Sequence, residues 1–383
     1  MSASAPGPAQ AAPTASAPGT SRVAGAGRRL SYIDWTRGLA ILIMIEAHVL
    51  DAWTRPSDRQ TLAYGVSAVL AGFAAPMFLF LAGVSVALAA SAGARKTGSA
   101  ALAAARVRRR GWQVFGLAYL FRLQAYILNP KAMLNGVLKV DILNIMGPSI
   151  VAAAALWQVG RDTRRRLLVL GGAALAVSLV TPLVRSSPLL DPLPGILQWY
   201  LRPTPGRNNF TFFPWSGFVF AGALIGVVID RARGAAAERA LHAWMAPAGL
   251  AFAAACYAGS YLPSIYADSK FWTSSPMFFL LRVGIVTATV SIVYFWEQRP
   301  RLLGGRWKWA SPMVVFGHSS LFVYWVHVEL VYGVFSDPLH GNLPFGRAVA
   351  AFAAFSLFMF GLVVLKNAGV SRWKRWRGDS MIG

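Results

Sequence analysis

The sequence predicts an all-α polytopic membrane protein, about ten transmembrane helices gathered around a polar pocket that opens outward. Three observations carry this. Of the 383 residues 56% are hydrophobic, in runs such as 66–90, 313–334 and 348–364 that exceed the length needed to cross a ~30 Å hydrocarbon core. The basic residues concentrate in alternate connections. The polar residues that do fall inside the apolar runs sit at one depth, on several runs at once.

Ten spans are expected at residues 33–53, 64–91, 111–129, 138–158, 167–184, 213–230, 243–262, 276–296, 312–335 and 346–366. Residues 1–29, rich in Ala, Pro, Ser and Gly with no apolar stretch before a cleavage site, read as a disordered cytoplasmic tail. Residues 30–368 form the membrane domain, and 369–383 a basic cytoplasmic tail. Connections on one side hold Arg95, Lys96, the arginines of 106–110, Arg161, 164–166, Arg231 and Arg233, whereas the other side carries scattered ones. That asymmetry places both termini in the cytoplasm of a multi-pass inner-membrane protein. It also accounts for the formal charge of +23 as topology, so no nucleic-acid partner is expected. The single Cys256 excludes an internal disulfide or thiolate metal cluster. The Pro-rich connection 185–212 is expected to cap the outer face, followed by an aromatic approach, FTFFPWSGF, at the interface.

Residues 30–53, LSYIDWTRGLAILIMIEAHVLDAW, organise the chain. Asp34 and Arg37 stand near the inner end of this helix, and Glu46, His48 and Asp51 near the outer end. At 1.5 Å per residue, Arg37 and His48 are about 16 Å apart along the axis, which places His48 past the middle of the membrane. His48 and Asp51, at i and i+3, share a face, so the carboxylate could fix the imidazole tautomer and leave the other nitrogen as a base. Glu46 points elsewhere and is expected to hydrogen-bond a neighbouring span. The same depth collects Arg122 and Gln124, Lys139, Asp141 and Asn144, Arg282, and His327 with Glu329. His327 is read as either a substrate contact or a helix–helix hydrogen bond; His242 and His318 as solvated at the inner interface. With no HExxH and no second histidine one turn from His48, no metal is expected.

The segment IDWTRGLAILIMIEAH resembles the first span of the transmembrane acyltransferases. In the acyltransferase-3 family an Arg is followed after ten residues by a His, the spacing of Arg37 and His48 here. PMFLFLAGVSVALA, VDILNIMGPSI, FPWSGFVFAGALIG and GHSSLFVYWVHVELVYG resemble the heparan-alpha-glucosaminide N-acetyltransferase catalytic domain and its bacterial relatives, over nearly the whole chain after residue 30. The resemblance implies an enzyme that moves an acyl group, usually acetyl from acetyl-CoA as co-substrate, to a hydroxyl or amine of a sugar across the membrane.

On that reading His48 is the general base with Asp51 beside it, and Arg37 with Asp34, and Arg109 and Arg110, contact the acyl-CoA phosphates. Arg122 or Arg282 stabilises the oxyanion, and Asp141, Asn144, Glu329 and His327 contact the acceptor. Partners are then the lipid bilayer and a sugar or glycan acceptor, with a homodimer as a candidate assembly. A secondary transporter or lipid-linked sugar flippase would use the same outward pocket. Protein-dependent thiol release from acetyl-CoA separates the two classes.

Overall fold

The computed structural model describes residues 30–128, 134–302 and 311–378. Among these the regular structure is helical: α1 (Ser31–Trp53), α2 (Leu62–Ala71), α3 (Ala74–Thr97), α4 (Ala100–Leu128), α5 (Ile142–Val159), α6 (Thr163–Ser186), α7 (Gly195–Leu201), α8 (Phe212–Arg231), α9 (Ala235–Gly259), α10 (Pro276–Leu302), α11 (Pro312–His318), α12 (Ser320–Tyr332) and α13 (Phe345–Trp376). Extended pairing is limited to isolated bridges, Thr54 with Leu343 and Val140 with Asn208. The tail expected at 1–29 lies outside the described residues, as do 379–383. α13 carries the helix on through the basic stretch to Trp376, beyond the expected boundary at 368.

Each expected span falls on helix, but the helices are not equally apolar. Seven are long and apolar enough to cross a membrane, with Leu62–Thr97 counted as one, or eight if the bent pair α11 and α12 is a single span. The remaining two, α1 and α4, have 23 and 29 residues, enough length at 1.5 Å per residue, but both carry charged side chains along their length. α1 packs against α2, α3, α10, α11, α12 and α13. A helix surrounded by other helices can keep Asp34 and Glu46 out of lipid, and this is what permits its composition.

Small residues set the closest crossings. A Cβ on Gly83 of α3 would come within 1.9 Å of the Val219 carbonyl of α8, and one on Gly222 of α8 within 1.9 Å of the Phe80 carbonyl of α3. Gly38 of α1 and Gly317 of α11 make the same kind of approach, to Met313 and Asp34 backbone oxygens. Without a hydrophobic drive between helices in lipid, such backbone contact is a main source of association.

The sequence reading treated 312–335 as one continuous span; the structure breaks it. α11 and α12 meet at 88°, with Ser319 off the helical conformation (φ −108°, ψ 21°). Two contacts hold the corner: Gly317 lies against the Asp34 backbone, and Lys366 Nζ of α13 donates to Ser319 Oγ (2.7 Å). At the opposite end, the 185–212 connection is ordered by Asn208, whose side chain bonds the carbonyls of Trp199 and Arg202 and accepts from the Thr204 N–H. α7 thereby sets Tyr200 over α4 and α5, with its hydroxyl 2.7 Å from that of Tyr119.

Candidate functional site

α1 and α12 run side by side, and the residues they place in contact are two histidines. His48 Nδ1 lies 2.9 Å from His327 Nε2, the rings nearly parallel at 6°. His327 is fully buried, and its Nδ1 is 2.6 Å from the Val323 carbonyl one turn earlier on α12. A carbonyl only accepts, so in a neutral pair the proton of His327 sits on Nδ1. Its Nε2 is then an acceptor and takes the Nδ1–H of His48. The chain of bonds leaves the lone pair of His48 on Nε2.

The sequence reading gave this orienting place to Asp51. Asp51 instead is exposed and accepts from the Tyr332 hydroxyl (3.0 Å), and the Tyr332 ring stands edge-on to His48 at 5.5 Å. Its backbone carbonyl accepts from Arg59 (2.5 Å). Asp51 thus contacts Tyr332 beside His48, while the imidazole bonded to His48 Nδ1 is His327 of another helix. Glu46 does not find the expected hydrogen bond: its Oε2 is buried with no partner among the described residues. It lines a small cavity of about 160 Å³ with Asp51, Tyr64 and Ser67 between α1 and α2.

At the arginine-rich end, Arg37 donates to Asp34 Oδ1 (2.6 Å) and to Ser85 Oγ. Asp34, 3% exposed, bonds His318 Nε2 through its other oxygen (3.1 Å). His318 is thus tied to α1 as well as partly exposed. A cavity of about 480 Å³ opens here, lined by Arg37, Ser85, Arg106, Arg110, Met146 and Ser320 among others. Of the basic run 106–110, Arg106 and Arg110 line this cavity, whereas Arg109 is exposed off the lining. The signal was present: 106 and 110 are i and i+4 and share a face.

At the far end of the same α4–α12 seam lies a second cavity of about 560 Å³, with Arg122, Gln124, Trp325, Glu329 and Tyr332 in its wall. Arg122 Nη2 is paired with Asp141 Oδ2, and its Nε is buried with no partner among the described residues. Asp141 caps α5, accepting from its first turn while Asn144 Oδ1 accepts the Asp141 N–H (2.9 Å). The two are committed to a capping box, and neither lines the cavity. Gln124 accepts from Trp325 Nε1. Phe121, in the wall of this cavity, packs on the rings of Tyr324 and Trp325, with centroids 5.7 and 5.3 Å away.

Two expected residues lie elsewhere. Arg282 of α10 is caged by Phe278 of its own helix and by Phe218 and Trp215 of α8, and lines neither of the two larger cavities. His242 is not solvated: it is fully buried, stacked on Tyr294 at 4.2 Å, edge-on to Tyr32, with Nδ1 3.1 Å from Ser291 Oγ. Neither Tyr332 nor Ser85 was marked in the sequence, because single hydroxyls in apolar runs carry no periodic signal.

A helical bundle with seven or eight described helices long and apolar enough to cross a membrane, and two contacting histidines between its cavities' helices, defines a multi-pass integral-membrane protein. The family model described as "Heparan-alpha-glucosaminide N-acetyltransferase, catalytic" matches residues 29–271, well over half the chain, and the chain belongs to that family of membrane acetyltransferases. No curated protein matches it. His48 and Arg37, Ser85, Arg106 and Arg110 of the cavity wall fall within the matched stretch, whereas Ser320 of that wall and His327 lie beyond it.

Proposed function

We propose that this protein transfers an acetyl or other acyl group from cytoplasmic acyl-CoA to a hydroxyl or amine of a sugar or glycan on the outer side of the inner membrane. His48 is the general base. The observation that carries this reading is the bond sequence Val323 carbonyl, His327, His48, which leaves Nε2 of His48 basic and held in place. Ten crossings, with both termini in the cytoplasm and 30–368 acting as one domain, belong to the same proposal.

The basic cavity suits the donor as substrate. Arg37, Arg106 and Arg110 offer guanidinium forks for phosphate, and the apolar walls of Val107, Val114, Met146 and Ile150 suit a slender arm reaching inward. The opposite cavity suits the acceptor: Trp325 and Tyr332 supply ring faces, and Gln124, Glu329 and Arg122 polar contacts. His48 Nε2 takes the proton from the acceptor as its oxygen or nitrogen attacks the thioester carbonyl. The tetrahedral intermediate collapses with cleavage of the C–S bond, and the thiolate recovers the proton from His48. Arg122, through its uncommitted Nε–H, is the oxyanion donor among the residues first considered. Asp141 and Asn144 act by holding Arg122 and the start of α5. The aromatic contact of Phe121 with Tyr324 and Trp325 must part for donor and acceptor to meet.

Purified protein given labelled acetyl-CoA and a mixture of oligosaccharide acceptors should release thiol and label a sugar. Substrate counterflow in vesicles without CoA-dependent chemistry would instead mean transport, a reading to which the family match lends no support.

A further inference from the structure

Several arginines meet a carboxylate: Arg37 with Asp34, Arg95 with Asp230, Arg122 with Asp141, Arg202 with Asp191. Arg282 and Arg185 do not. Arg282 is 7% exposed, its guanidinium 3.8 Å above the Phe278 ring, with Phe218 and Trp215 at 5.7 and 5.9 Å. Its Nε is buried without a hydrogen-bond partner among the described residues. Arg185 stands in the last turn of α6, a helix packed against α10, and its Nε is likewise buried and unpartnered among the described residues. No carboxylate acts on either residue among those described. Ring faces offset part of the cost of one buried cation, but no carboxylate among the described residues is paired with either.

We propose that Arg185 and Arg282 form an anion seat, filled by the phosphate of an anionic lipid in the leaflet at this end of the bundle. Two guanidinium forks match phosphate oxygens, and the missing counter-charge is then supplied from outside the chain. The depth fits a headgroup: Arg282 lies about 9 Å in from the start of α10, within reach of a long side chain extending toward the interface. The surroundings favour a lipid over a dissolved ion. Leu179, Val180 and Leu183 of α6, and Met277 of α10, are 40, 39, 58 and 36% exposed, an apolar border that acyl chains would cover. Trp272, 60% exposed beyond it, stands where interfacial aromatics anchor.

The test is lipid retention by the purified full-length protein in detergent with a phosphatidylcholine background. Phosphatidylglycerol is added, bound lipid is read by native mass spectrometry, and melting temperature is followed in parallel. The wild type should retain phosphatidylglycerol over phosphatidylcholine and gain melting temperature from it. In the Arg185→Gln/Arg282→Gln double variant the selectivity should fall toward one and the gain disappear. Inorganic phosphate at matched concentration should give a smaller gain. If the double variant fails to fold, Arg185→Gln alone, at the partly exposed position, must weaken retention while Arg282→Lys keeps part of it. Equal retention in variant and wild type, or an equal gain from phosphate alone, would overturn the proposal.

Discussion

Replacing His327 with Phe keeps a flat ring of similar size in a fully buried site but removes the acceptor for His48 Nδ1–H. His48 then either leaves a buried donor unpaired or turns to the other tautomer. An unmade buried hydrogen bond costs about 1–3 kcal/mol, and at about 1.4 kcal/mol per tenfold in rate this is a loss of roughly 5- to 150-fold in kcat. His327→Gln should restore most of it, because its side-chain oxygen can reach the position of Nε2 and accept the same proton. The assay is acetyl transfer from labelled acetyl-CoA by protein whose melting temperature is shown to match wild type, with KM for acetyl-CoA measured alongside. The loss belongs in kcat, since the donor cavity is untouched. Full kcat in His327→Phe, or His327→Gln no better than Phe, would refute the orienting role.

Other consequences can be measured in the same preparations. Arg106→Gln and Arg110→Gln should each raise KM for acetyl-CoA by about 10- to 150-fold, the value of a lost charged hydrogen bond, whereas Arg109→Gln, off the cavity wall, should leave it unchanged. Gly83→Ala and Gly222→Ala set a Cβ within 1.9 Å of a backbone oxygen on the partner helix, and should each destabilise by about 1–3 kcal/mol or more in thermal melts. Gly65→Ala, inside α2 with open space around it, should not destabilise and should stabilise by up to about 1 kcal/mol. Phe121→Leu should loosen the ring contact with Tyr324 and Trp325 and raise the rate with butyryl-CoA relative to acetyl-CoA; an unchanged ratio would show that this contact does not limit passage.

The helical membrane fold was legible because span length and charge asymmetry are one-dimensional properties of a chain. That His48 and His327 belong to one polar cluster was legible as well: both were placed in it, and their rings are in contact. Azimuth and partner were not. Asp51 shares a face with His48 by periodicity, yet the orienting bond comes from a residue 279 positions later, and only packing of α12 on α1 chooses it. Asp141 and Asn144, taken as acceptor contacts, are spent on capping α5, a use visible in the D-x-x-N spacing once the helix start is known. Arg282, taken as an oxyanion donor, is packed on the rings of Phe278, Phe218 and Trp215 instead. The break between α11 and α12 carries no proline or charge to announce it; it depends on Gly317 meeting α1 and on Lys366 reaching Ser319.

The central claim is that Nε2 of His48 removes the acceptor's proton. Single-turnover acetyl transfer by folded, membrane-extracted His48→Ala protein, with acetyl-CoA binding measured separately, tests it most directly. The account predicts unchanged donor binding with transfer reduced by about 10²- to 10⁴-fold. Transfer at the wild-type rate would contradict it.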